Sequence, residues 1–188
     1  RYIDRAEFLT RLTRVYEIRR AEHAAAETPL IDYLSGYLRY LGIDTEEDPP
    51  SAIAGAVHAA ARNARRLRDR LSPDGLVAIA GLEQMVRSRD EGTTLAAHMG
   101  EILRQTAGFF GLVRENMYRS AGWRFLSAGR ALERAMSISS IVASLAAPSA
   151  PPGAMEAALD CMDSKLAHHR RFGFDMSCET VTALLCLD

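Results

Sequence analysis

A chain of 188 residues with 23 basic and 24 acidic side chains is long enough to bury one substantial core. Its near-zero net charge argues against nucleic-acid binding, and no run approaches the ~20 apolar residues of a membrane-spanning helix. Lys165 is the only lysine, which leaves 22 arginines. Two causes fit: coding bias in a GC-rich genome, or a demand for planar guanidinium groups that grip carboxylate or phosphate bidentately. Cys161, Cys178 and Cys186 make no Cys-x-x-Cys pair, so reduced thiols in a cytoplasmic setting are expected rather than a disulfide framework.

The elements read in chain order as helices, because Ala, Leu, Arg and Glu dominate and β-branched alternation is scarce. The first predicted helix runs from the start to about Ala26, with Ile3, Ala6, Leu9, Leu12 and Tyr16 as its apolar stripe. Pro29 opens a second that reaches about Leu41, where Gly42 supplies a stop. Acidic, proline-terminated Asp44 to Pro50 is a loop. A third helix spans about Ser51 to Leu71, and Ser72-Pro73 caps and opens a fourth that fades near Arg89. After the turn Asp90-Glu91-Gly92-Thr93 come long helices from Thr94 to about Tyr118 and from Ala121 to about Ala146. Pro148, Pro151 and Pro152 break the chain, and two last helices cover about Gly153 to Arg171 and Cys178 to Leu187. The expectation is an all-α bundle of about seven to eight helices forming a single domain over residues 1–188. Arg1 lies within a helical pattern and Val181 to Leu187 is an apolar run, so a piece of a longer polypeptide is expected.

Two of these helices carry related motifs: Arg1-Tyr2-Ile3-Asp4-Arg5-Ala6 and Arg130-Ala131-Leu132-Glu133-Arg134-Ala135. Apolar positions continue in phase, with Leu9, Leu12 and Tyr16 matching Ile138, Ile141 and Leu145. An internal duplication with pseudo-twofold pairing of two long helices would account for the match. Three readings of the charges stand. Arg130 can pair with Glu133, and Arg1 with Asp4, one turn along each helix, worth ~0.2–0.5 kcal/mol per pair. Alternatively the helices pack together with Asp4 facing Arg134 and Glu133 facing Arg5, buried pairs that fix register more than they stabilise. In the third, the arginine pairs converge on an anionic ligand, a peptide carboxylate or a phosphate.

Further candidates are weaker. Arg62, Arg66 and Arg70 form one ridge of a helix, with Arg65 and Arg68 beside it. A solvated face and a face turned to an interior groove both suit this pattern. Asn63 needs a reason in mid-helix, since its amide competes with the backbone. Trp123 reads first as a core anchor and second as a binding platform, with Arg119 and Arg124 near enough to stack on it. Gly129 inside a helical pattern implies a close helix crossing. The histidines His23, His58, His98, His168 and His169 compose no His-Glu-x-x-His or Glu-x-x-His pattern, so no metal site is expected. Phosphate-loop and nucleophile-elbow motifs are missing too, so no cofactor is expected and no nucleophile is paired with a base.

Taken together, Asn63-Ala64-Arg65, Arg68-Asp69-Arg70-Leu71-Ser72, Gly122-Trp123-Arg124-Phe125-Leu126, Gly129-Arg130 and Leu132-Glu133-Arg134-Ala135 resemble the alpha-E family, bacterial α-helical domains named for a Glu-Arg motif. Arg1 to Glu7 looks like the family's first such motif, with Asp4 in place of the usual glutamate. Arg170-Arg171-Phe172 and Leu184 to Asp188 are similar to its C-terminal segments. The resemblance implies a partnership with a circularly permuted ATP-grasp amide-bond ligase and a transglutaminase-like protease, in the making or trimming of peptides. It implies no catalytic role for the helical domain itself. Two functions follow as expectations. One is a non-catalytic accessory or binding module with a pocket drawn from Asp4, Arg5, Arg62, Arg65, Trp123, Arg124, Arg130, Glu133 and Arg134. The other is an enzyme with Glu133 or Asp4 as acid/base and paired arginines holding the substrate.

Overall fold

A computed structural model describes residues 1–22 and 29–187. The predicted tail of the first helix to Ala26, and His23, lie outside the described residues. Among the described residues the chain forms nine helices and no strand: α1 (Tyr2–Glu22), α2 (Pro29–Tyr40), α3 (Ser51–Arg66), α4 (Pro73–Met85), α5 (Leu95–Asn116), α6 (Ala121–Leu145), α7 (Ala154–Cys161), α8 (Lys165–Phe172) and α9 (Cys178–Leu187). The all-α class agrees with the sequence reading.

Local chemistry sets most boundaries. Ser72 Oγ accepts from the Gly75 amide at 3.1 Å, with Pro73 opening α4, and Thr94 Oγ1 accepts from the Ala97 amide at 3.2 Å to begin α5. Gly42, at φ +85°, ends α2 with a pair of bonds, Gly42 N–H to Arg39 C=O at 3.0 Å and Ile43 N–H to Leu38 C=O at 2.9 Å, and Ile43 then plugs into the core. Three boundaries differ from the sequence reading. α4 ends at Met85 rather than near Arg89. α3 stops at Arg66 instead of about Leu71, because Leu67 leaves helical geometry and the following residues turn ahead of Pro73. The helix expected over Gly153 to Arg171 is two, α7 and α8, broken where Asp163 takes φ +55°. That break turns the expected eight helices into nine.

α1 is the hub. It packs against α3 and α5 on one side and α2, α6 and α7 on the other, while α4 closes the α3–α5 face. Leu12 is fully buried, among a core that includes Ile53 and Val57 of α3, Met99 and Ile102 of α5, Leu34 and Leu38 of α2, and Ile141 and Leu145 of α6. The Tyr37 hydroxyl meets Ser140 Oγ at 2.6 Å and the Tyr33 hydroxyl donates to the Ser144 carbonyl at 2.8 Å, tying α2 to the second half of α6. α7 and α9 cover that same half. The first half of α6 rests on α1 and, through Arg130, on Phe110 of α5, and Glu133 is its single buried residue. No described helix is long and apolar enough to cross a membrane.

Candidate functional site: an acid–guanidinium cluster between two clefts

The first turns of α1 and the middle of α6 bring the two related motifs together. Glu133, 4% exposed, accepts from Arg1 Nε at 3.0 Å on one carboxylate oxygen and from Arg5 Nε at 2.8 Å on the other. In return Arg130 of α6 donates from Nε to Asp4 Oδ1 at 3.0 Å. The Arg130 guanidinium lies 3.5 Å from the centroid of the Phe110 ring, a stacked position that suits a flat, weakly hydrated cation and not a lysine ammonium. Asp4 Oδ2 is buried and accepts no hydrogen bond among the described residues.

The exchange is therefore between helices. Neither Arg130–Glu133 nor an Arg1–Asp4 side-chain pair forms along its own helix. Glu133 faces Arg5 as the interhelical reading expects, but Asp4 takes Arg130 and not Arg134. The reason is angular. Arg134 stands about 100° round the helix from Glu133, and its side chain leaves the α1 contact for solvent, whereas Arg130 lies one turn from Glu133 on the same face. The likeness of the two helices is local, since α1 is enclosed by five helices while the matching part of α6 is open.

A cleft lies on each side of the cluster, and Arg130 is a wall of both. The first, about 320 Å³, is lined by Asp4, Glu7, Phe8, Arg11, Ser127, Arg130, Ala131, Arg134, Ser137 and Met162. Within it Arg11 is bound to Glu7 at 2.9 Å and Arg130 to Asp4, so Arg134 is the guanidinium there with no acidic partner among the described residues. The second, about 710 Å³ and mostly apolar, runs between the C-terminal ends of α3 and α5 and the beginnings of α1 and α6. Ile3, Ala64, Leu67, Phe109, Val113 and Phe125 form its walls, with Asn63, Arg1 and Arg70 contributing polar groups. Asn63 thus lies in the last turn of α3, on the groove wall, and not in mid-helix.

The other candidates fall elsewhere. Arg62 is solvent-facing and outside both clefts, with Arg66 beside it. Arg65 instead crosses to α4, where its guanidinium binds Glu83 at 2.7 and 3.3 Å. Trp123 is half-buried and absent from the core, which corrects the core-anchor reading. It lines a shallow cleft with Arg114 and Arg119, and the Arg119 guanidinium sits 5.5 Å from its ring centroid. Arg124 is exposed. Gly129 has no close crossing among the described residues, because a methyl group there would meet nothing within 4 Å.

Sequence reasoning missed Glu83. It is 7% exposed and also receives His58 Nδ1 at 2.5 Å, and the Arg65 and His58 contacts hold its carboxyl down at about 2. The cue was present, since His58 and Arg65 are two turns apart on one helix face and Glu83 is the one acid of the following apolar helix beyond its first turn, where Asp74 sits. Missed as well was the α1–α7 tie from Arg19 to Asp160 at 2.7 Å. Among the described residues no three His, Cys, Asp or Glu side chains are grouped to hold a metal ion.

Comparison with known proteins agrees with this geometry. The model of Alpha-E, described as a predicted alpha-helical domain with a conserved ER motif, matches residues 1–188. Uncharacterized proteins of Mycobacterium bovis and Mycobacterium tuberculosis (strain CDC 1551) are each 24% identical over 158 residues, and one of strain H37Rv is 23% identical over the same length. Those matches cover 78% of this chain and 18% of each relative, so the chain spans under a fifth of the curated proteins it resembles. No solved structure matches it. With both charged motifs paired across α1 and α6, and the family model matched from end to end, the chain belongs to the Alpha-E family.

Proposed function

We propose that this chain is a non-catalytic binding module. It holds an anionic group, a peptide carboxylate or a phosphate, in the cleft beside Arg134, and acts as accessory to an ATP-grasp amide-bond ligase and a transglutaminase-like protein. Peptide synthesis or modification in the bacterial cytoplasm is the setting this implies. One observation carries the reading: Glu133 engages both carboxylate oxygens and Asp4 one of its two with neighbouring guanidiniums, while Arg134 has no acidic partner among the described residues. A base must be reachable by the proton it takes. Glu133 has both oxygens engaged and is almost wholly buried, so it is placed to pin helices instead. A guanidinium at a cleft mouth, by contrast, offers its paired N–H groups to a carboxylate or phosphate at no cost in broken pairs.

The test is co-purification of the full-length protein with the ligase, with and without ATP, for the parent and for Arg134→Glu. Association that the charge reversal weakens at least tenfold is expected. Absence of association under every nucleotide condition would overturn the partnership. Peptide ligation or hydrolysis that requires Glu133, tested with Glu133→Gln, would return the domain to the enzymes.

A further inference from the structure

The outer face of α6 is the least explained surface of the molecule. Ala121, Phe125, Ala128, Leu132, Ala135 and Ser139 are all exposed, and they recur at alternating spacings of four and three. Phe125 is 80% and Leu132 58% exposed, with Met136 beside them at 48%. Such spacing makes a seam for a second helix, about 27 Å long at 1.5 Å per residue. Nothing in the described chain covers it: α1 packs on the opposite side, the side of Arg130 and Glu133.

The seam is complementary to itself. Turn a second α6 antiparallel, with a twofold axis at the level of residue 130, and each layer joins a large residue to a small one or two small ones. Phe125 meets the second copy's Ala135, Leu132 meets its Ala128, and Ala121 meets its Ser139. Large residues at one seam position and small ones at the other give an even layer thickness in the antiparallel sense only. A parallel pair would set Phe125 on Phe125 and Ala128 on Ala128. The flanks agree. Arg124 faces the second copy's Ile138 and no cation, and Gly129 faces Gly129, where two backbones need room. A glycine that costs up to ~1 kcal/mol in a helix interior thereby gains a purpose that this chain alone does not give it. Arg134 and its counterpart stand about 12 Å apart along the axis, beyond the ~8–10 Å screening length of physiological salt.

We propose that α6 is the interface of a twofold-symmetric dimer of this chain, formed by antiparallel α6–α6 packing through that seam. Symmetric pairing of one patch with itself is the commonest way soluble chains associate. The dimer also touches the apolar groove, because Phe125 and Ala121 belong to both surfaces, so the second copy borders the groove on its α6 side. It is independent of whether the Arg134 cleft binds an anion.

Sedimentation equilibrium of the full-length protein tests the proposal. The expected result is twice the chain mass, returning to the single-chain mass in Leu132→Arg. Gly129→Leu is the second variant: it favours the helix, its Cβ meets no described atom within 4 Å, and it too is expected to yield the monomer, with a parental circular dichroism spectrum and Tm showing that it still folds. Spin labels on Ala128→Cys and Ala121→Cys, with Cys178 and Cys186 replaced by serine, then give the orientation. Helices about 9 Å apart place the Ala128 pair roughly 11 Å and the Ala121 pair roughly 28 Å from each other. A monomeric protein, a dimer indifferent to both seam variants, or equal short distances at both labels would each overturn it.

Discussion

Glu133 and Asp4 occupy matching places in two related motifs, yet the protein uses them unequally. Glutamate reaches two arginines of α1; the shorter aspartate reaches one arginine of α6, and that arginine is already fixed on Phe110. Removing the Glu133 charge strands two guanidiniums that are themselves half-exposed, 56% and 43%, so solvent absorbs part of the loss. Glu133→Gln should lower the free energy of unfolding by about 1–2 kcal/mol, read from urea denaturation at unchanged m value. Arg134→Ala removes no ion pair, and its unfolding free energy should stay within about 0.5 kcal/mol of the parent. The same variant should weaken binding of a carboxylate-terminated peptide in a calorimetric titration. That the two motifs meet was legible in the sequence, because each offers acid and cation on one helix face. The choice of Arg130 over Arg134 was not, since it depends on the rotation of α6 and on an aromatic ring from α5.

Between the helices, two contacts are open to direct test. Glu83 locks α4 to α3, and its lowered pKa links stability to pH. The folded value is about 2 against an ordinary 4.5, so its contribution is complete above about pH 4.5 and vanishes as pH falls through about 2. Glu83→Gln should cost about 1–2 kcal/mol near pH 7 and flatten that acid limb in a pH series of thermal melts. Gly153, at φ +86°, leads into α7 where a Cβ would come within 2.9 Å of Leu30. Gly153→Ala should destabilise by about 1–2 kcal/mol through strain and contact together, measurable as a lower Tm. Helix order and most boundaries followed from caps, prolines and stop signals, as at Ser72-Pro73 and Gly42. The α7–α8 break did not, because Asp163 adopts a left-handed backbone with no glycine or proline to mark it. Trp123 failed for another reason: size and apolar surface predict burial, but the half of α6 that carries it has few neighbours in this chain.

At the scale of the whole molecule, one helix organises the rest. α1 gathers five others around Leu12, and the ion pairs at its beginning orient α6, whose two halves then do different things. The last two turns belong to the core through Ile141 and Leu145; the residues before them carry Arg134, the groove wall at Phe125 and the open seam. Both clefts depend on that orientation, and hence on the bonds between the motifs. A double-mutant cycle on Arg5→Ala and Glu133→Gln, followed by urea unfolding, isolates that bond from the separate effects of each change. A coupling energy of about 1–2 kcal/mol is expected for a charge-assisted contact to a buried carboxylate. Strict additivity of the two substitutions would mean that α6 does not lie against α1 in this register, and the clefts on either side would go with it.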